Sequence, residues 1–376
     1  MSRIFCFIVF GLLILVGFAA EVLGGDIFRL GIIGTTTSHV PAFVKILNDP
    51  KVPEPCNGFK VVAAYPGGMP DNAGSWNRVR QYADELEKQG ISLHNTIEAM
   101  LPNVDGVLLE SVDGRPHLEQ AKPVINAGKP LFIDKPMAAS LADVLTIFRL
   151  AREKKVPVFS ASSLRFASGF QKARKGESSA GTVIGCDVWS PCSLNDKHPD
   201  LFWYGIHGVE TLFTLMGTGC ESVARTQTNG TEFVTGIWKD GRIGTFRGIR
   251  NGKTGYGAVV FGDKGIADAG SYEGYQPLVK EIARFFKTGQ SPVDPQETIE
   301  IIAFMEAAEQ SKTKGVPVSI DQVLREAENQ KVITVQLHIL TNTTLTLNNQ
   351  PIKMEELAKT LDNFLAEKTN HRVNVI

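Results

Sequence analysis

The sequence has almost no imbalance of charge: 39 lysines and arginines stand against 40 aspartates and glutamates, a formal net charge of −1 over 376 residues. Binding to nucleic acid or an anionic membrane rests on clustered basic residues that neutralise phosphates, so this balance points away from nucleic acid and toward a small-molecule partner. Cysteine is scarce, five residues in all, and no CxxC pair or Cys/His metal spacing occurs, so no metal ligands are assigned. With Cys6 in the apolar start, Cys56, Cys186, Cys192 and Cys220 remain. Cys186 and Cys192 are nearest in sequence, and free buried thiols are the expected state. Paired arginines are missing from the N-terminus, where Arg3 stands alone, so there is no twin-arginine signal for exporting a folded protein.

After Arg3 comes an uncharged run, Ile4 to Ala20, that ends among small residues before Glu21. A basic start, an apolar run and a small-residue boundary form an export signal, with cuts expected after Ala19 or Gly24. The run is also at the lower edge of the roughly 17–25 residues that span a bilayer, so residues 1–24 are a signal peptide or an uncleaved anchor. The expected location is periplasmic or secreted, with membrane association through the N-terminus as the alternative.

At 376 residues and 43% hydrophobic content, two domains plus additions are expected. From Phe28 onward, short apolar runs at Phe28–Ile33, Lys60–Tyr65, Gly106–Leu109, Pro130–Ile133 and Val156–Ser160 alternate with helical stretches at Pro41–Leu47, Trp76–Lys88, His117–Ala127 and Leu141–Lys154. That alternation implies right-handed βαβ units and an α/β, Rossmann-type, doubly wound parallel sheet over residues 26–162. Beyond Phe166 the strands Gly181–Trp189, Ser222–Thr228, Glu232–Trp238, Arg242–Ile249 and Tyr256–Phe261 are joined by turn pairs such as Asn229-Gly230 and Asp240-Gly241. These predict a mainly antiparallel sheet in an α+β substrate domain, residues 163–328, with helices at Gly208–Met216, Pro277–Thr288 and Pro295–Lys314. Residues 332–376 read as a small ββαβ appendage: strands Ile333–Leu340 and Thr344–Leu347, a helix Lys353–Lys368 and a strand Arg372–Ile376.

The turn Gly31-Ile32-Ile33-Gly34-Thr35-Thr36-Thr37-Ser38-His39 closes the first strand. In a dinucleotide fold such a turn presents backbone N–H groups and a helix N-terminus to the pyrophosphate. Gly31, Gly34, Thr36, Ser38 and His39 are therefore the candidate cofactor-binding residues. Thr36 and His39 stand where GxGxxG has its second and third glycines, and no carboxylate ends the second strand, Ala64-Tyr65-Pro66-Gly67-Gly68. Both departures weaken the case for nicotinamide binding, and a polar helix cap is an alternative role for the turn.

Gly128-Lys129-Pro130 and Asp134-Lys135-Pro136, following His117, make the chain from Phe28 to Val318 resemble the glucose-fructose oxidoreductase / inositol dehydrogenase (Gfo/Idh/MocA) family, whose signature is glutamate-lysine-proline. The resemblance implies NAD or NADP as cofactor, cofactor contacts from Asp134, Lys135 and Pro136, and a catalytic Lys135 reaching toward the nicotinamide and the substrate hydroxyl. It also implies that His207 takes the hydroxyl proton, a task suited to imidazole near neutral pH. The family commonly has an aspartate four residues before this histidine; here Trp203 holds that place, and Glu210 or Asp200 could substitute. Arg165, Tyr204, His207 and Glu210 are the candidate substrate-binding residues. The expected activity is hydride transfer between a nicotinamide dinucleotide and a sugar or polyol, possible within a homo-oligomer. The alternative is an exported carbohydrate- or cell-wall-binding protein that uses the same cleft without redox chemistry. The tail, with Thr334-Val335-Gln336-Leu337-His338-Ile339 and Val373-Asn374-Val375, resembles the periplasmic domain of the ExbD/TolR biopolymer-transport family.

N-terminal sequencing of the protein from a cell envelope is expected to begin between Ala20 and Asp26; an intact Met1 in soluble cytosolic protein would remove the export reading.

Overall fold

The computed structural model describes residues 27–329 and, in the tail, 333–341, 344–347, 350–353, 356, 359 and 371–375. The expected signal segment and most of the expected helix Lys353–Lys368 lie outside the described residues. Among the described residues, no helix is long and apolar enough to cross a membrane.

Six parallel strands form the first sheet: β1 (Phe28–Ile33), β2 (Phe59–Tyr65), β3 (Ser92–Leu93), β4 (Gly106–Leu109), β5 (Leu131–Asp134) and β6 (Val158–Ala161). Their order is β3-β2-β1-β4-β5-β6, the doubly wound arrangement whose direction of winding reverses between β1 and β4. Helices α1 (His39–Leu47), α2 (Ala73–Lys88), α3 (Ile97–Met100), α4 (His117–Asn126) and α5 (Leu141–Lys154) make the crossovers. Every residue of β4, β5 and β6 is buried, as expected for strands covered on both faces. The two-residue β3 was not expected from the sequence, being too short to show a pattern. Local signals set the helix ends: Ser140 Oγ accepts the Asp143 N–H at the start of α5, and Lys155 closes it in the left-handed conformation at φ 57°.

After α6 (Ser168–Arg174), β7 (Val183–Pro191) opens the second sheet. The chain continues through α7 (Ile206–Met216), β8 (Cys220–Thr228), β9 (Thr231–Trp238), β10 (Ile243–Ile249), β11 (Gly257–Gly262) and β12 (Ile266–Asp268). It ends in α8 (Gln276–Thr288), α9 (Pro295–Lys314), β13 (Val318–Ser319) and α10 (Ile320–Glu328). The sheet order is β12-β11-β7-β10-β9-β8-β13, antiparallel except where β10 lies parallel to β7. That parallel pair arises because α7 and the β8–β9 hairpin intervene before β10 returns beside β7. Gly241, at φ +85°, supplies the left-handed residue in the β9–β10 turn. Gly208 lets α7 lie flush on the sheet, since a Cβ there would come within 2.1 Å of the Phe246 ring.

The expected boundary at residue 163 is only partly a physical one. Leu278, Val279, Ile282 and Phe285 of α8 pack with Leu30, Ile32, Phe132 and Phe159 of the parallel sheet, so α8 belongs to the core of the first domain. The tail forms a third sheet of β14 (Ile333–Thr341), β15 (Thr344–Leu347), β16 (Gln350–Ile352) and β17 (His371–Val375), with β14 parallel to β17. All four cysteines among the described residues are free and buried, and burial pushes the Cys192 and Cys220 thiols up to about 12.

Where β6 crosses into the second domain, Arg165 is buried and its guanidinium bonds Glu210 of α7 and Glu297 of α9, each at 2.6 Å. Arg174 adds a second bond to Glu297 at 2.8 Å. Arg165→Met should cost about 3–5 kcal/mol, because it strands buried carboxylates without their counter-charge. Urea unfolding of the two proteins measures this, and a loss below about 1 kcal/mol would show that the network is not holding the junction.

Candidate functional site

In an open parallel sheet, ligands bind beyond the carboxyl ends of the strands where the winding reverses. Here those ends carry Gly34–His39 after β1, Glu110–Asp113 after β4, Asp134–Pro136 at the end of β5 and Ser162–Arg165 after β6. The fold therefore gathers most of the expected site residues along one edge, although they lie up to about 130 positions apart in sequence.

Within the first turn, Gly34 sits at φ +87°, and a Cβ there would come within 2.4 Å of Ser111 Oγ, so the backbone must be bare at this crossing. Gly31 is different: it lies within β1, where an added Cβ would meet Met100 and Val104, so its small size serves packing beneath the sheet and not cofactor contact. Thr36 is buried, its Oγ1 accepts the Val112 N–H at 2.9 Å, and its methyl fills the space beside Gly68. Only Ser38 of the three candidate hydroxyl-bearing and imidazole residues in the turn is exposed, at the N-cap of α1. His39 turns inward, with Nδ1 2.8 Å from Asp134 Oδ2 and its ring 4.7 Å from that of Tyr275. Asp134 is thus not directed at a cofactor. Burial alone would raise its carboxyl, but His39 and Lys135 overcome this and hold it at about 2.

Lys135 is buried, and the peptide bond joining it to Pro136 is cis. His117 braces this turn: its Nδ1 lies 3.2 Å from the Met137 carbonyl and its Nε2 2.7 Å from the Ser111 carbonyl, tying the loops after β4 and β5 together. Lys135, Pro136, Ile206 and Glu210 line one cavity of about 10 Å³, so the first turn of α7, which bears His207, lies against the Lys135 loop.

The imidazole of His207 is buried, with Nδ1 2.8 Å from Ser162 Oγ. Ser162 is in turn fixed by its own N–H, which donates to Glu210 Oε2 at 2.8 Å. The orienting group beside His207 is therefore a hydroxyl, and Glu210 acts one step removed. Arg165 and Glu210, expected to touch substrate, are instead paired with each other in the junction network, because neither charge is buried without the other. Asp200 is likewise remote from His207, paired with Arg225 and Lys312 at 2.6 Å each. The Trp203 ring lies 4.9 Å from that of His198, tilted by 42°, and His198 Nε2 lies 2.8 Å from Asp113 Oδ1; Asp113 also binds Arg115, which reaches Asp71.

Tyr204 does reach the site, its ring 5.2 Å from that of His207 and its hydroxyl 3.4 Å from that of Tyr256. Tyr256, Tyr272 and Tyr275 continue an aromatic line from His207 to His39, with successive ring centroids 6.0, 5.9, 5.9 and 4.7 Å apart. Sequence reasoning missed Ser162, Glu110, Tyr256, Tyr272 and Tyr275. Glu110 and Ser162 each follow a short buried strand, a position that could have drawn attention to them.

Residues 28–162 match the model of the Gfo/Idh/MocA family, described as an oxidoreductase family with an NAD-binding Rossmann fold. The match is confined to the first domain, whose sheet order is that of a Rossmann fold. Among curated proteins, the uncharacterized oxidoreductase YhhX of Escherichia coli (strain K12) is 28% identical over 113 residues, 27% of this chain and 32% of that protein. The uncharacterized oxidoreductase sll0816 of Synechocystis sp. is 32% identical over 80 residues, 21% of each chain. The matched segments thus span a third or less of these relatives. Solved structures share the wider fold. Scyllo-inositol dehydrogenase from Lactobacillus casei, with bound NAD(H) and scyllo-inositol, has a TM-score of 0.63 at 14% identity, covering 79% of this chain and 100% of that one. An oxidoreductase from Agrobacterium radiobacter, in complex with NAD+, L-tartaric acid and magnesium, has a TM-score of 0.63 at 14% identity, covering 80% of this chain and 100% of that one.

Burial, then the nearby Lys135 and His39, hold the His207 imidazole well below its ordinary range, and burial does the same to His117. An unfolded chain takes up these protons near pH 6.5 while the folded chain does not, so the contribution of these two rings to stability falls as pH drops through that region. Urea midpoints measured between pH 7.5 and 5.5 should decrease, and His117→Gln should reduce that slope; a midpoint that rises on acidification would contradict the burial of both rings.

Proposed function

We propose that the protein is an oxidoreductase that moves a hydride between a nicotinamide dinucleotide and a hydroxyl-bearing carbon of a sugar or polyol. The observation that carries this reading is the meeting of Lys135 and His207 at the edge of a Gfo/Idh/MocA-type Rossmann domain. The β1–α1 turn fits a pyrophosphate in part: Gly34 keeps its left-handed turn, and Ser38 is exposed at the α1 N-terminus. Ser38 and the first N–H groups of α1 would hold the phosphates, with Lys135 and Pro136 toward the nicotinamide. When bound, the dinucleotide supplies the hydride acceptor or donor.

The protein's own residues handle the proton. With Nδ1–H donated to Ser162 Oγ, the His207 ring leaves Nε2 free to accept the hydroxyl proton as the carbon is oxidised. Burial keeps the resting ring neutral, so that it holds a lone pair and no proton at the accepting nitrogen. Lys135 places a positive charge where alkoxide character develops. The line of tyrosines gives flat apolar faces with polar rims, which suit a ring bearing many hydroxyls. Two specific features favour the second reading, a carbohydrate-binding protein without redox chemistry: Thr36 fills its part of the turn, and Tyr65 stands where a ribose-binding acid is usual. Export without a twin-arginine signal and an ExbD/TolR-like tail would suit that reading in the cell envelope.

Calorimetric titration with both nicotinamide dinucleotides tests the assignment. Weak binding by the wild type, tightened in Thr36→Gly, is expected; equal tight binding by both proteins would reject the steric role of Thr36, and no binding by either would favour the second reading. If turnover of a polyol is found, Lys135→Met and His207→Ala should each lower kcat by about 100-fold or more, the scale of general acid–base catalysis.

A further inference from the structure

Beneath the turn that follows β1 lies a buried carboxylate for which neither the hydride transfer nor the packing has a use. Glu110 is 0% exposed, and neither of its carboxylate oxygens has a hydrogen-bond partner. Leaving such a group unpaired is costly, since a buried polar atom forfeits its hydration with nothing in return. Its carboxylate is not isolated, however. Ligand-type atoms of Glu110, His39 and Asp134 all lie within 4.8 Å of one another, and all three residues are buried.

The contact between His39 and Asp134 is also unusual. Nδ1 and Oδ2 approach to 2.8 Å, yet the alignment is not that of a hydrogen bond. Two atoms bound roughly 2.1 Å from one ion at a right angle lie about 3 Å apart, so this spacing suits neighbouring vertices of a coordination shell. The three side chains come from the start of α1, the end of β4 and the end of β5, elements fixed by the sheet, so the convergence is held by the core and not by a loop.

We propose that His39, Glu110 and Asp134 form a binding site for a divalent transition-metal cation. One imidazole nitrogen and two carboxylates suit Zn²⁺ or Mn²⁺ better than Ca²⁺, which takes six to eight oxygen ligands. The two carboxylates balance the ion's two positive charges, so the ion and its three ligands carry no net charge. An ion there would fasten the first turn of α1 to β4 and β5, where His39 has taken the place of a glycine that would otherwise allow close helix packing. The rival arrangement is a proton shared by Glu110 and Asp134.

The full-length protein, stripped with chelator, should be titrated with ZnCl₂ and with MnCl₂ by calorimetry, and its metal content read after gel filtration. One ion per chain is expected, together with a rise in Tm. Glu110→Gln and His39→Gln should each weaken binding by about tenfold or more, at least the scale on which even indirect disturbance of a metal site acts. Binding of neither ion by the wild type, or equal binding by wild type and both variants, would overturn the proposal in favour of the shared proton. Should the variants fail to fold, X-ray absorption on the zinc-loaded wild type decides: a shell with one imidazole and oxygen ligands supports the site, and a shell without imidazole overturns it.

Discussion

The junction between the two sheets rests on one buried cation. Arg165 leaves the end of β6 and is neutralised by Glu210 from α7 and Glu297 from α9. Taking three charges out of water is tolerable only because each has its partner at hydrogen-bond distance. That requirement fixes the angle at which α7 meets the parallel sheet, and α7 carries His207. Ser162, three residues before Arg165, gives its N–H to the same Glu210 and its hydroxyl to His207. Residues that looked from their positions like substrate ligands are thus the frame that sets the imidazole in place.

On the dinucleotide side, the same edge of the sheet shows a different compromise. The left-handed Gly34 and the open N-terminus of α1 keep the shape of a phosphate-binding turn. Thr36 and His39 fill space that glycines would leave open, and each makes a specific contact, with Val112 and Asp134 respectively. Neither side chain is left facing solvent. The contacts bind the loops after β1, β4 and β5 into one packed unit, to which His117 adds its two carbonyl contacts.

A similar unit lies farther along. Trp203 lies against His198, and His198 pairs with Asp113 of the first domain. With Arg115 and Asp71, this forms a second bridge across the domains beside the site. Burial opposes the charge on Asp113, yet His198 and Arg115 hold its carboxyl well below the usual range. Trp203 is thus engaged in this bridge, and the side chain in contact with His207 Nδ1 is Ser162.

The sequence by itself determined the order and kind of the elements. Buried parallel strands announce themselves as short apolar runs, and helices by caps and periodicity, so β1, β4, α5, α9 and β15 are legible to the residue and most others to within a few, whereas the short α3, α6, β3, β12, β13 and β16 were not expected. The Asp134-Lys135-Pro136 phrase and His207 also stand out in the sequence, because each belongs to a local pattern. Only the tertiary structure decided partnership. Sequence cannot tell that Arg165 and Glu210 neutralise each other, that α8 returns to the first core, or that His39, Glu110 and Asp134 converge, since each is separated from its partners by tens of residues. The reason is physical: periodicity and capping are short-range effects of backbone geometry, whereas the pairing of buried charges depends on which strand ends the sheet order brings side by side.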